Sequence, residues 1–119
     1  MSTATAVKTF IRAADTPWEN AAAGIRRQML GHDDGLMMVR AVFEKGAVGA
    51  LHTHVHRQVT VVERGVFEVE IGGERQTLGA GDCYFVPPDV LHGAVALEAG
   101  SLIDVFAPAR EDFLPARRA

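Results

Sequence analysis

The sequence predicts an all-β fold, a sandwich or jelly-roll barrel, and three observations carry that expectation. Short stretches alternate apolar and polar residues with the two-residue period of a strand, glycine-containing turns recur between them, and no stretch shows a convincing helix of normal length. Many short strands closed by frequent turns are the pattern of sandwiches and jelly rolls. The 119 residues are enough for one hydrophobic core and too few for two, so residues 1–119 are expected to form a single domain without internal repeat or linker.

In chain order, residues 1–9 read as a flexible arm or an edge strand, with Phe10 and Ile11 beginning that strand. Asp15-Thr16-Pro17 is turn chemistry, and Trp18 beside Glu19 reads first as a core residue, with a barrel-end or interface anchor as the alternative. A strand is expected over residues 25–30, ended by the polar turn at 31–35, in which His32 reads as an exposed loop residue. Residues 36–44 alternate Met37, Val39, Ala41 and Phe43 against Met38, Arg40, Val42 and Glu44, the period of another strand. Further strands are expected over 58–63, 66–71, 74–78, 83–86, 91–97 and 101–106. Arg64-Gly65, Gly72-Gly73 and Glu98-Ala99-Gly100 read as the turns between them, and Pro87-Pro88 stops a strand because proline cannot donate to a ladder. Residues 115–119 form a tail whose arginines, Arg117 and Arg118, read as solvated.

Composition excludes several classes of partner. A formal net charge of −3 gives no general attraction to nucleic acid or to an anionic membrane, and no apolar run is long enough to span a bilayer. The start lacks the apolar core of a secretory signal, and one cysteine without a partner suits a reducing compartment, so a cytoplasmic protein is expected. Cys83 reads as a small buried hydrophobe rather than a nucleophile.

Between Gly46 and Gly65 the chain concentrates donors suited to a metal. His52 and His54 are two apart and Gln58 keeps the same parity, so strand geometry could turn all three to one side, and His92 would complete a four-ligand set. His56 shares the parity and is placed behind the ligands or at the pocket rim. Neutral imidazoles suit zinc, nickel, iron and copper and leave coordination sites open for water or substrate; the expected cofactor is one divalent transition metal, zinc, nickel, iron or manganese. Near the end, Asp104 shares its face with Leu102 and Phe106, which favours a polar cavity over solvent because an unpaired buried carboxylate is strongly disfavoured. Arg110 could hold a carboxylate in two-pronged fashion, or lie at the surface paired with Glu111 or Asp112.

The spacing from Gly46 through His52, His54 and Gln58 to Gly65, and then from Gly81 through Pro87-Pro88-Asp89 to His92, resembles the two signature motifs of the cupin superfamily. Gln58 stands where that pattern has glutamate, and Asp89 and Ala96 stand where it has glycine and asparagine. More narrowly, Trp18-Glu19, residues 25–31, residues 52–58 and the ending 102–114 resemble the pectin-degradation cupins of the KdgF type. Arg57 and Val59 depart from that narrower pattern. This resemblance implies a cupin jelly roll, or double-stranded β-helix, a homodimer, and a divalent metal on His52, His54, Gln58 and His92. It also implies opening of unsaturated uronate monosaccharides to their linear keto form, with catalytic roles for Asp104, Phe106 and Arg110 and a small anionic sugar acid as substrate. A cupin dioxygenase and a non-catalytic sugar- or metal-binding module are the competing readings.

Overall fold

The structure, a computed structural model, describes residues 7–114. Its eight strands are β1 (Trp18–Ala22), β2 (Ile25–His32), β3 (Met37–Phe43), β4 (Val48–His52), β5 (Arg57–Ile71), β6 (Glu74–Gly79), β7 (Cys83–Val86) and β8 (His92–Ala107). Single 3-10 turns at Ala13–Asp15 and Glu111–Phe113 flank them, and no helix among the described residues is long and apolar enough to cross a membrane.

All pairings are antiparallel, and the architecture follows from the length of two strands. β5 and β8 run for 15 and 16 residues and pair with each other along nearly their whole length. The second half of β8 lies between β3 and the first half of β5, with β2 and β1 beyond β3 and β7 beyond β5. The first half of β8 lies between β4 and the second half of β5, with β6 outside. One pair of strands thus supplies both walls of a jelly-roll barrel. Inward-facing Phe43 and Phe67 meet edge to face at 5.2 Å in the main core. A smaller cluster of Met37, Val39, Phe106 and Ala109 packs separately.

Two expected turns are absent. Neither Arg64-Gly65 nor Glu98-Ala99-Gly100 reverses the chain; β5 and β8 continue through them with register shifts on either side of Arg64. The glycines serve close approach instead. Gly65 has φ +87°, and a Cβ there would lie 2.7 Å from the Ala99 carbonyl oxygen and from Gly100 Cα, while one on Gly100 would collide with the carbonyl oxygen of Arg64. A bulge with glycine at its centre bends a strand without ending its pairing.

Three other expectations fail for reasons of position. Trp18 is 41% exposed, because β1 is an edge strand with every residue exposed, and its ring carries the Arg26 guanidinium at 4.9 Å. Cys83 is exposed, because alternation on β7 turns Tyr84 and Val86 inward and Cys83 and Phe85 outward. Phe10 and Ile11 begin no strand, since the sheet edge is taken by β1. Within the proposed arm, residues 7–9 are exposed and irregular; residues 1–6, and the tail at 115–119, lie outside the described residues.

The contact at Gly65 predicts that Gly65→Ala lowers stability by about 3 kcal/mol, combining loss of a left-handed backbone with overlap against β8. Denaturant unfolding checks this, and an unchanged midpoint would refute the packing role.

Candidate metal centre and substrate cavity

The ends of three strands meet at the site. His52 closes β4 and His92 opens β8 as its direct cross-strand partner, while Gln58 is the second residue of β5. His54 sits in the irregular link between β4 and β5, where the main-chain N–H of Asp89 donates to its carbonyl at 2.9 Å. Asp89 adopts φ +64°. Aspartate tolerates that left-handed conformation better than most residues, which explains how it fills a position where the motif has glycine.

Hydrogen bonds fix what the imidazoles present to one another. Nδ1 of His52, His54 and His92 lies 2.8, 3.0 and 2.8 Å from the carbonyl oxygens of Ala50, His56 and Val90. A carbonyl only accepts, so each Nδ1 carries a proton, and in the neutral ring Nε2 then keeps a lone pair. The Gln58 amide donates from Nε2 to Thr60 Oγ1 at 2.8 Å, which turns Oε1 to within 3.0 Å of His54 Nε2 and 3.1 Å of His92 Nε2. Burial lowers the pKa of His54 and takes that of His92 down to about 4, so neutral rings meet the glutamine oxygen. Acceptors converge with no proton between them.

One ligand atom from each of the three histidines lies within 4.8 Å of the others. Convergent lone pairs on neutral nitrogens and an amide oxygen fit a divalent cation, whose charge such ligands would leave intact.

Beside this cluster runs a polar row across the inner face. Tyr84 on β7, Thr60 on β5 and Asp104 on β8 are consecutive cross-strand neighbours, one register step from Gln58 and Phe106. Thr60, fully buried, donates to Asp104 Oδ1 at 2.6 Å. Burial raises the Asp104 pKa to about 6, against the opposing pull of the Thr60 hydroxyl and the Arg110 charge. Burial also raises Tyr84, aided by the nearby Asp104 charge.

The site opens into a cavity of about 250 Å³ lined by His52, Gln58, His92, Asp104, Phe106 and Arg110 together with Tyr84, Phe113 and Arg27. Arg110 is buried and grips Asp112 through Nε and Nη2 at 2.9 and 2.8 Å, which holds the Asp112 carboxyl below its ordinary range. Its guanidinium lies 5.2 Å from the Phe106 ring and 4.2 Å from Phe113. Arg110 pairs with Asp112, as one sequence-based alternative has it, but it is buried and lines the cavity rather than lying at the surface.

His56 does not join the ligands. Its ring is buried beside His54, both nitrogens lack a hydrogen bond from the described residues, and Nε2 is 4.0 Å from Glu111. Thr60, Tyr84, Arg27 and Phe113 were not singled out as site residues by sequence. Thr60 shares the parity of Gln58, which was a usable signal; the place of Tyr84 depends on the β5–β7 register, which local pattern does not carry.

Comparison with known proteins agrees with this geometry. The family model described as "Cupin domain" matches residues 39–106. The pectin degradation protein KdgF of Dickeya dadantii is 48% identical over 102 residues, covering 84% of this chain and 93% of that protein. An RmlC-like cupin from Shewanella frigidimarina superposes with a TM-score of 0.88 at 48% identity, covering 90% of this chain and 96% of that one. KdgF from Halomonas sp. superposes with a TM-score of 0.85 at 42% identity, covering 90% and 99% of the two chains. Matched by the family model over more than half its length, this chain belongs to the cupin domain family, and within it is similar to the KdgF pectin degradation proteins.

Proposed function

We propose that the protein opens unsaturated uronate monosaccharides, such as 4,5-unsaturated galacturonate, to their linear keto forms. The observation that carries this reading is the placing of Asp104, a carboxyl with a pKa near 6, in one cavity with the histidine–glutamine cluster and buried Arg110. Similarity to proteins named for pectin degradation points to the same class of substrate.

The reaction moves two protons. One leaves the hemiacetal hydroxyl as the ring oxygen is released, and one arrives at the carbon that began in the double bond. A carboxyl whose pKa lies close to the working pH can do both in turn. Asp104 takes the first proton and delivers the second, with Oδ1 held by Thr60 and Oδ2 free of hydrogen bonds from the described residues. Phe106 walls the cavity and excludes water, and Arg110 contributes positive charge toward the sugar acid. His52, His54, Gln58 and His92 would hold a divalent metal. That cation, when bound, supplies positive charge that stabilises negative charge developing on a substrate oxygen.

The reading extends to one cupin domain over residues 1–119 acting as a cytoplasmic homodimer. Among the described residues β1 pairs only with β2 and no strand covers its outer edge, a natural seam for a second copy. Light scattering is expected to return twice the 12.8 kDa chain mass; a monomer at micromolar concentration would remove the dimer.

Turnover is followed by loss of the ultraviolet absorbance of the conjugated double bond. Asp104→Asn is expected to slow it by about 10²- to 10⁴-fold, the usual contribution of a general acid–base, while metal content is retained. An unchanged rate would sink the assignment. Chelation is expected to abolish acceleration over the spontaneous rate, and added divalent metal to restore it, with no consumption of oxygen. Oxygen uptake in place of absorbance loss would favour the dioxygenase reading.

A further inference from the structure

Arg27 is an arginine on the wrong face of its strand for a purely structural residue. On β2 it falls between Ile25 and Met29 on the inward parity, and its partner across the ladder is buried Ala41. Inward charged side chains persist where they are paired, hydrated or used. Pairing accounts for only part of Arg27. Nε donates to Glu19 Oε1 at 2.6 Å, and Glu19 is itself 46% exposed. Nη1 and Nη2 have no hydrogen-bond partner among the described residues, although the side chain is only 22% exposed and lines the cavity.

Arg110 offers a contrast within the same cavity. Two of its three nitrogens are already engaged in the fork onto Asp112, so its hydrogen-bonding edge is spent although its charge still reaches the cavity. The Phe113 ring fixes both cations, with the Arg27 guanidinium 3.9 Å and that of Arg110 4.2 Å from its centroid. Planar stacking of this kind holds a guanidinium in place while leaving its edge open to an anion. Of the two arginines that line the cavity among the described residues, Arg27 is the one whose Nη1/Nη2 edge is unspent.

We propose that Arg27 is a substrate-binding residue whose Nη1/Nη2 edge receives the carboxylate of a sugar acid, with Phe113 positioning it and Arg110 held back by Asp112. The proposal rests on the uronate reading for the class of ligand, and a sugar with a single carboxylate would meet the free fork before the occupied one.

The test uses the metal-loaded protein and two variants, Arg27→Gln and Arg27→Lys. For unsaturated galacturonate, Arg27→Gln is expected to raise KM about ten- to a hundredfold, the range for a lost hydrogen bond to a charged group, with a much smaller change in kcat. Arg27→Lys recovers part of the loss, since it returns the charge without the fork. Calorimetry with saturated galacturonate, which cannot react, should show the same loss of affinity. Unchanged KM and unchanged galacturonate binding in Arg27→Gln, with the wild type still turning over, would overturn the role of Arg27 and leave the uronate reading standing. Weakened galacturonate binding in the variant of a wild type that turns nothing over would uphold Arg27 as the anion site and fail the proposed reaction. A drop in metal content or unfolding midpoint that accounts for the KM change would reduce Arg27 to a structural residue.

Discussion

The pairing of β5 with β8 is the interaction on which the other features depend. It runs from Arg57↔Ala107 to Ile71↔His92 and passes through the glycine contact at its middle. Its two ends carry different parts of the site: Gln58 and Thr60 lie opposite Phe106 and Asp104 at one end, and His92 lies at the other. Only because the ribbon bends do its ends approach, bringing His92 Nε2 to 3.1 Å from Gln58 Oε1 across 34 residues of sequence. The bend therefore makes both the barrel and the histidine–glutamine cluster. A straight ribbon of 15 residues would separate those ends by roughly 45 Å.

The inner face is mostly apolar, and its few polar groups are arranged by consequence rather than scattered. Thr60 accepts from Gln58 and donates to Asp104, so one hydroxyl sets the direction of the amide and holds one oxygen of the acid. Positive charge lies toward the other side of the cavity, where Arg27 and Arg110 share the ring of Phe113. Low local dielectric magnifies both effects, since a buried dipole or charge is poorly screened.

Strand existence was legible in the sequence because alternation is a local signal: β7 falls at residues 83–86 as read, and β3 within one residue of its expected ends. The convergence of His52, Gln58 and His92 was legible from spacing and motif, and the inward direction of Asp104 from the company of Leu102 and Phe106. What failed was everything set by a partner strand. Gly65 and Gly100 look like turn residues until their contact with each other is known. Trp18 looks like core until β1 proves to be an edge, and Cys83 until the register of β7 on β5 fixes which face it takes. Arg27 lies among residues that resemble relatives, yet nothing local distinguishes it from its outward neighbour Arg26.

The three imidazoles are steered by main-chain carbonyls, those of Ala50, His56 and Val90, and not by carboxylate side chains. No codon change can delete a carbonyl. The orientation of these rings is thus insulated from mutation in a way that the cavity walls are not: exchange of Arg27, Tyr84 or Phe113 would alter the lining and leave each of those carbonyls in place.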